Sequence, residues 1–256
     1  MLSVLSPAKS LDYESKLATK KSSQPVLLER AAELVEVMAT KTPDDLRSMM
    51  GISHDLAELN VERFHDWSVP FDKTNARPAV LAFSGDVYLG MDVVHQFGER
   101  DFTRAQKTIR ILSGLYGVLR PLDLMQPYRL EMGSKVDTRA GKDLYAFWGD
   151  TITDQLNVDL AASPGPDALI NLASNEYFGA VQPERINGRV ISPKFLDEKN
   201  GDYKVISFFA KRARGSMAAW LVLERVDTIK GITDFDVDGY RYDPSRSTPN
   251  EPVFIR

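Results

Sequence analysis

At the centre of the chain stands the run Ser113-Gly-Leu-Tyr-Gly-Val-Leu-Arg-Pro-Leu-Asp123, which continues into Pro127-Tyr-Arg-Leu-Glu-Met-Gly133. The two segments combine three glycines, two prolines, two tyrosines and two arginines with almost no spacer residues. Glycine allows a sharp turn or a close approach to a ligand, and proline stiffens the chain. Arg120 and Arg129 add permanent, forked positive charge. This mixture predicts a rigid loop that binds an anion, with phosphate as the favoured ligand.

The composition limits the class of protein. The 256 residues are 43% hydrophobic and 27% charged, as is usual for a globular protein, and we predict one domain over residues 1–256. The formal net charge of −4 means that binding of nucleic acid would need a local basic patch. Cysteine is absent, which excludes disulfides, thiol catalysis and Cys-ligated zinc. No run predicts a membrane span or a secretory signal, so we expect a cytoplasmic protein without a membrane partner.

Short apolar strands alternate with helical patterns along the chain. Buried strands are predicted at Leu2-Ser-Val-Leu-Ser, Pro78-Ala-Val-Leu-Ala-Phe-Ser and Ala168-Leu-Ile-Asn-Leu-Ala-Ser. Asn200-Gly201 is a strong signal for a β-hairpin turn. Apolar spacing and capping residues predict helices from Pro25, Thr42, Ser53, Asp101, Leu144 and Phe209. The fold class is therefore α/β, a mixed sheet with at least one antiparallel hairpin, covered by helices.

A basic segment precedes and opens the last long helix. The segment from Lys199 to Arg214 contains five cations and one acid, Asp202, for a local net charge of +4. The cations are Lys199, Lys204, Lys211, Arg212 and Arg214. Cations at a helix N-terminus oppose the helix dipole, and a bound phosphate would resolve that conflict. Gly215 also stands where a ligand could approach the backbone. We favour an anion site over the alternative, a solvated basic face paired with nearby acids.

Polar residues also follow two of the predicted strands. Ser6-Pro-Ala-Lys9 comes directly after the first strand, and Asn171 to Glu176 closes the strand that begins at Ala168. In α/β sheets the binding residues lie at such strand ends, so the two segments predict a shared cleft. The alternative is a plain strand exit followed by a solvent-facing lysine.

The glycine run matches neither the dinucleotide-binding pattern nor the P-loop. Ser113-Gly-Leu-Tyr-Gly117 resembles the turn of a helix-hairpin-helix element, in which the backbone amides of Gly114 and Gly117 would hold a DNA phosphate. The preceding helix would then carry Arg104, Lys107 and Arg110. A tight strand-to-loop turn explains the same residues, and the sequence leaves both hypotheses open.

Metal and nucleophile motifs are incomplete. Glu62-Arg-Phe-His65 occurs once, whereas a di-iron bundle needs that spacing twice. Asp234-Phe-Asp-Val-Asp-Gly239 opens like a calcium loop, but Ser245 stands where the final glutamate is required. We therefore predict no metal site and no cofactor. No serine lies in a nucleophile elbow, and the remaining candidates for acid or base catalysis are Tyr116, Tyr128, Glu131 and Glu176.

Several motifs together resemble the bacterial YaaA family over essentially the whole chain. Besides the two central runs they are Ser6-Pro-Ala-Lys-Ser-Leu11, Asn171-Leu-Ala-Ser-Asn-Glu-Tyr177, Phe195-Leu-Asp-Glu-Lys-Asn-Gly201 and Lys211-Arg-Ala-Arg-Gly215. The resemblance implies a cytosolic protein of the hydrogen-peroxide stress response that lowers unincorporated iron. It also implies an unusual single-domain α/β fold that binds DNA in a positively charged cleft with a helix-hairpin-helix element. The cleft residues would be Lys9, Arg120, Arg129, Lys211, Arg212 and Arg214.

Three functions are compatible with these residues. The first is sequence-independent binding of double-stranded or structured DNA, in which lysines and arginines neutralise phosphates. The second is an enzyme that acts on a nucleotide, a nucleobase or another phosphorylated small molecule, with Lys9, Arg129 and Arg214 as the anion clamp. The third is direct sequestration of iron, which would need clustered carboxylates that the sequence does not show. We therefore expect an indirect effect on iron.

Overall fold

Strands and mostly short helices alternate along residues 1–256, all of which the computed structural model describes. The strands are β1 Leu2–Leu5, β2 Ser10–Leu11, β3 Arg77–Pro78, β4 Phe83–Ser84, β5 Ile109–Ser113, β6 Gly117–Leu119, β7 Leu124–Met125, β8 Ala168–Leu172, β9 Arg189–Ile191, β10 Lys194–Lys199, β11 Asp202–Lys204, β12 Arg241–Tyr242 and β13 Val253–Ile255. The helices are α1 Leu28–Met38, α2 Pro43–Met50, α3 His54–Asp66, α4 Ala79–Ala82, α5 Asp86–Met91, α6 Val93–Gln96, α7 Glu99–Thr108, α8 Leu144–Trp148, α9 Thr151–Ala162, α10 Asn175–Phe178 and α11 Ser207–Leu223.

The central sheet has five strands in the order β6-β5-β1-β8-β9. Strands β5, β1, β8 and β9 are parallel, and β6 pairs antiparallel with β5. Every residue of β1 and β5 is buried, as expected for strands that have helices on both faces of the sheet. The predicted fold class, a mixed α/β sheet covered by helices, is confirmed.

A second sheet of four strands, in the order β11-β10-β13-β12, forms beside it. Strands β10 and β11 are joined by Asn200 and Gly201, whose φ angles of 58° and 83° are both positive. Two positive φ angles in a two-residue loop match the twist of the flanking strands, and Asn-Gly adopts them most easily. The predicted antiparallel hairpin is therefore present.

The helix starts in the N-terminal part follow local chemistry. The Thr42 hydroxyl accepts the Asp45 N–H, while the Asp45 carboxylate accepts the Thr42 N–H at 2.9 Å. Ser53 accepts the N–H of Leu56 in the same way at the start of α3. Side chains of this kind satisfy the free N–H groups of a first turn. The helices predicted from Thr42 and Ser53 are confirmed.

The strand predicted over Pro78 to Ser84 is wrong, because one helical turn, α4, interrupts it. The Ala79 and Val80 N–H groups donate to the carbonyls of Asp123 and Pro121, at 2.9 and 3.0 Å. These bonds tie the backbone to the end of the central glycine run instead of to a neighbouring strand. An apolar run as short as this one is compatible with a strand or with a helical turn, and here its hydrogen-bond partners elsewhere in the chain determine which one forms.

The run Ser113 to Gly117 is a β-hairpin turn, so the helix-hairpin-helix prediction for this segment is wrong and the tight-turn alternative holds. Strand β5 precedes it, strand β6 follows it, and Ser113 pairs with Gly117 across the turn. Gly117 has a φ of +65°, and a Cβ there would lie 2.8 Å from the Trp148 ring. A Cβ on Gly114 would lie 2.3 Å from the Leu130 carbonyl oxygen. What approaches these glycines closely is the protein core.

Helix α11 crosses the central sheet against the direction of β1. Near its end, Leu221 and Val222 line a narrow gap together with Met1 and Ile109, which stand where β1 and β5 begin. Its first turns therefore lie at the opposite edge, where the parallel strands end. A Cβ on Gly215 would lie 1.8 Å from the carbonyl oxygen of Val87, so α11 packs backbone to backbone on α5. The close approach predicted at Gly215 is thus made by a helix.

The buried side chains form one continuous hydrophobic core of 67 residues, which extends from Met1 to Phe254. No helix of the protein has the length and apolar character needed to cross a bilayer.

Candidate functional site

The ends of β1 and β8 meet, as the polar residues after these strands predicted. The Ser174 N–H donates to the Ser6 hydroxyl at 2.8 Å, and the two hydroxyl oxygens are 3.3 Å apart. The Tyr88 hydroxyl donates to the Ser6 carbonyl at 3.1 Å, which fixes the turn that leads to Lys9. These bonds bring Lys9 and Glu176 to one edge of the sheet.

Two of the predicted cations share one carboxylate at this edge. Lys9 Nζ lies 2.9 Å from Glu131 Oε2, and Arg129 Nη2 lies 3.1 Å from Glu131 Oε1. The Lys9 side chain is 63% exposed, whereas Arg129 and Glu131 are mostly buried. Glu176 is close by, and its Oε1 accepts the Gly133 N–H at 3.0 Å. The cluster Lys9–Arg129–Glu131 therefore carries a formal charge of +1.

One donor of this cluster has no partner. Arg129 Nε is buried and makes no hydrogen bond. A buried donor left unsatisfied costs about 1–3 kcal/mol, which an anion or a water molecule would remove. The opening beside it measures about 10 Å³, the size of a single water molecule. With Glu131 in place, the cluster has no room for a larger ligand.

The candidate acid–base residues are of two kinds, buried phenols and carboxylates at the edge of the sheet. Tyr128 is buried, its hydroxyl lies 2.6 Å from the Ser113 hydroxyl, and burial raises its pKa far above the ordinary value. Tyr116 is equally enclosed, and burial raises its pKa as well. Both phenols are neutral core groups. Glu131 and Glu176 are the two predicted residues whose carboxylates lie at the edge of the sheet.

Tyr177 belongs to the same cluster, although sequence reasoning did not select it. It lines the opening together with Lys9, Arg129 and Glu131. Burial is the main reason that its pKa lies far above the ordinary value, and the nearby Tyr128 and Glu176 raise it further. Its phenol is therefore a neutral proton donor. Its place three residues after the Ser174 cap was the available signal.

The structure does not bring Arg120 to this cluster. Its guanidinium binds Asp123 through Nε at 3.0 Å and through Nη2 at 2.8 Å, and Nη2 also donates to the Gln24 carbonyl. Asp123 is completely buried. Arg120 thus neutralises a core carboxylate. Gly114 and Gly117 are also absent from the cluster, because their turn is enclosed by Trp148, whose Nε1 donates to the Gly114 carbonyl at 3.0 Å.

A second group of predicted cations lies at the start of α11 and on the β10–β11 hairpin. We call it the α11 basic surface: Lys199, Lys204, Phe208, Phe209, Lys211, Arg212 and Arg214. None of its five cations forms an ion pair. Phe208 and Phe209 are 48% and 39% exposed, and the Arg212 guanidinium stands 5.8 Å from the Phe208 ring centre. The surface is both basic and aromatic.

Arg214 links this surface to the sheet edge. It precedes Leu221 by two helical turns and therefore lies on the same face of α11. Since Leu221 packs where β1 begins, Arg214 stands towards the edge where β1 ends. It is half-buried, makes no hydrogen bond, and desolvation lowers its pKa. Lys9 and Arg129 lie at this edge, and Arg214 lies on the part of α11 that extends towards it.

The fold and the site define an α/β protein with basic residues collected at the carboxyl edge of its central sheet. Comparison with known proteins identifies the family. The model of the family described as peroxide stress protein YaaA matches residues 1–246, and the chain belongs to this family. It is 54% identical to a UPF0246 protein of Alcanivorax borkumensis and 52% identical to one of Cellvibrio japonicus. Both matches cover 100% of this chain and 98% of the relative. The family resemblance is confirmed, and with it a role in peroxide stress.

Proposed function

We propose that this peroxide stress protein binds DNA through the α11 basic surface without reading the base sequence. The observation that carries the proposal is the set of five cations that have no carboxylate partner. Each is free to neutralise a phosphate and to release condensed counterions, which is the main source of sequence-independent affinity. The proposed partner is double-stranded or structured DNA in the cytoplasm.

Exposed aromatic side chains favour DNA with unpaired bases. Phe208 and Phe209 lie beside Lys211 and Arg212 and are open to solvent. A phenyl ring stacks on any base, and such stacking is worth about 1–3 kcal/mol per base. Paired bases inside a duplex offer no free face. We therefore infer a preference for a duplex that contains a bubble or a fork.

The packing of α11 argues against recognition of sequence. From Gly215 to Ala219 the helix is buried, and Gly215 rests on the backbone of α5. Only the first turns reach solvent, so the helix has no free length to lie in a major groove. Contacts from these turns reach phosphates and splayed bases. This arrangement supports binding that is governed by charge and DNA shape.

The test is the salt dependence of binding by a Lys211→Gln/Arg214→Gln double variant. Fluorescence anisotropy with a fully paired duplex and a bubble duplex should show weaker binding to both. The slope of log K against log salt should fall by about 2, because two phosphate contacts are lost. The control is a Lys16→Gln/Arg139→Gln variant, which removes the same charge from two exposed positions elsewhere. An unchanged slope in the first variant would contradict the proposal.

Phe208→Ala tests the aromatic part. It should lower affinity for the bubble duplex at least about fivefold, on the scale of one lost stacking contact, and leave the paired duplex unaffected. Equal losses on both substrates would show that the ring does not bind bases.

The lowering of unincorporated iron belongs to this proposal as an indirect consequence of the stress response. Titration of the purified protein with ferrous iron distinguishes an indirect effect from sequestration. Stoichiometric binding at micromolar concentration would contradict the indirect effect.

A second candidate function is favoured by the free Arg129 Nε. In this proposal the protein is an enzyme that acts on a nucleotide, a nucleobase or another phosphorylated small molecule. The phosphate would displace the Glu131 carboxylate from Lys9 and Arg129, and Glu131 or Tyr177 would then move a proton.

Glu131→Gln tests this candidate. The substitution removes the carboxylate that competes with the ligand, so thermal shifts with phosphate and nucleotides should become larger than in the unchanged protein. Arg129→Gln should abolish them. If Glu131→Gln binds no anion more tightly, the cluster is a structural ion-pair network.

A further inference from the structure

A separate basic pocket lies at the other edge of the sheet, where β1 and β5 begin. It has a volume of about 450 Å³ and is lined by Arg100, Arg104, Lys107 and Arg225. Three of these cations follow the helical spacing i, i+4 and i+7 on α7, which places them on one face of that helix. Arg225 comes from the turn after α11 and faces them. We call this the α7 basic pocket.

Three acids on α7 and on neighbouring elements are engaged elsewhere. Asp101, which also lines it, accepts the Gly98 N–H at 2.9 Å and so caps α7. Glu99 pairs with Lys21, and Asp159 pairs with Arg110 at 2.6 Å. The four cations of the pocket form no ion pair. Four positive charges therefore share one pocket with a single acid that already serves as a cap.

One further observation points to a ligand, and a second concerns the backbone of Arg225. Arg104 Nε is buried and has no hydrogen-bond partner. Arg225 has a φ of +54°, a left-handed conformation that disfavours any residue with a Cβ and that glycine adopts freely. This conformation ends α11, because the Arg225 N–H donates to the Val222 carbonyl at 3.3 Å and the Val226 N–H donates to the Leu221 carbonyl at 3.2 Å, the two bonds of a Schellman helix cap. Arg225 therefore occupies the capping position that glycine usually takes, and its side chain lines the pocket.

The lining of the pocket indicates the chemistry of the ligand. It contains no aromatic side chain and one hydrophobic residue, so it offers no surface on which a base could stack. Forked guanidinium groups bind phosphate oxygens in pairs. We propose that the α7 basic pocket binds adjacent phosphate groups of a polyphosphate-bearing ligand. The source of these phosphates is a free nucleotide or polyphosphate, or else the backbone of a nucleic acid.

This site is distinct from the α11 basic surface. The two lie at opposite ends of α11, whose 17 residues span about 25 Å. Loss of binding at one site should therefore leave binding at the other unchanged.

The test measures binding of inorganic tripolyphosphate to the full chain by calorimetry. We expect one binding site in the unchanged protein. Its affinity should be at least tenfold lower in Arg104→Gln and in Arg225→Gly. Arg225→Gly is the sharper variant, because glycine relieves the left-handed strain and should raise the melting temperature while removing the cation. Arg139→Gln is the matched control, since it removes one exposed arginine outside the pocket and should leave affinity unchanged. If tripolyphosphate does not bind, or binds all four proteins equally, the proposal is wrong.

Two further arms identify the source. ATP should bind no more tightly than tripolyphosphate, because the pocket has no place for a base. ATP-specific binding that survives Arg225→Gly would overturn the assignment of the pocket to phosphate groups. Duplex DNA is then added to the Lys211→Gln/Arg214→Gln protein loaded with tripolyphosphate. Displacement supports the phosphates of nucleic acid as the ligand. Retention supports a free polyphosphate-bearing molecule.

Discussion

Replacing Gly117 by alanine separates a buried structural turn from a DNA-binding turn. The added Cβ would lie 2.8 Å from the Trp148 ring, well inside ordinary contact, and Gly117 has a φ of +65°. The left-handed conformation costs a residue with a Cβ about 1–2 kcal/mol, and overpacking of a core costs about 1–3 kcal/mol more. Trp148 cannot move away freely, because its Nε1 is bonded to the Gly114 carbonyl. We expect a loss of about 2–5 kcal/mol in the free energy of unfolding.

Gly201→Ala is the matched control. Gly201 also has a positive φ, +83°, but nothing lies within 4 Å of the position of its Cβ. This variant should therefore lose only the conformational part, about 1–2 kcal/mol. The difference between the two variants measures the overlap with Trp148.

Urea unfolding followed by far-ultraviolet circular dichroism gives both free energies. Equal losses in the two variants would show that Trp148 makes room and that the turn is not tightly enclosed. A Gly117→Ala protein of normal stability that binds DNA more weakly would contradict the assignment of a buried structural turn, because it would mean that the glycine amide contacts a phosphate.

Two further predictions concern single charges. Arg120→Gln leaves the buried Asp123 without its cation, so it should lower the free energy of unfolding by roughly 3 kcal/mol. The salt slope of DNA binding should stay unchanged. A reduced slope at normal stability would place Arg120 at the DNA. The second concerns Asp12, whose pKa falls from 3.8 to about 2, chiefly through hydrogen bonds from Ser15. A lowered folded pKa stabilises the protein above the unfolded value, so the advantage of the unchanged protein over Asp12→Asn should disappear as the pH falls from about 4 to about 2. Urea unfolding at several pH values measures this, and a constant difference would contradict it.

Features with a local cause were predictable from the sequence. The Asn200-Gly201 turn, the Thr42 cap and the Ser53 cap each depend on atoms within a few residues, and each is present. The meeting of the β1 and β8 ends was also predictable, because parallel strands of one sheet end at one edge.

Features that depend on distant residues were not predictable. A glycine that admits a ligand and a glycine that admits a helix or a ring look alike in a sequence. Gly117 faces Trp148, and Gly215 faces Val87, both far away along the chain. The α7 basic pocket needs Arg225 to reach residues that precede it by more than a hundred positions. In contrast, the Arg120–Asp123 pair is three residues apart, and this spacing was a signal of a local ion pair.

The partners of the cations separate structural charges from those free to bind a ligand. Arg110, Arg120 and Arg256 each bind a buried or nearly buried carboxylate and hold the fold. The cations of the α11 basic surface and of the α7 basic pocket have no such partner, so the fold does not require their charge. This is why a chain of net charge −4 can carry two basic surfaces.

Arg129 belongs to both groups. Its Nη2 is bonded to Glu131, while its buried Nε has no partner. A carboxylate that is shared with Lys9 neutralises only part of the local positive charge. An anion that reaches this edge must therefore compete with Glu131 for Arg129. Its affinity is set by the difference in free energy between Arg129 bound to the anion and Arg129 bound to Glu131. The strength of the Glu131 contact, more than the number of cations, decides whether the cluster holds the fold or a ligand.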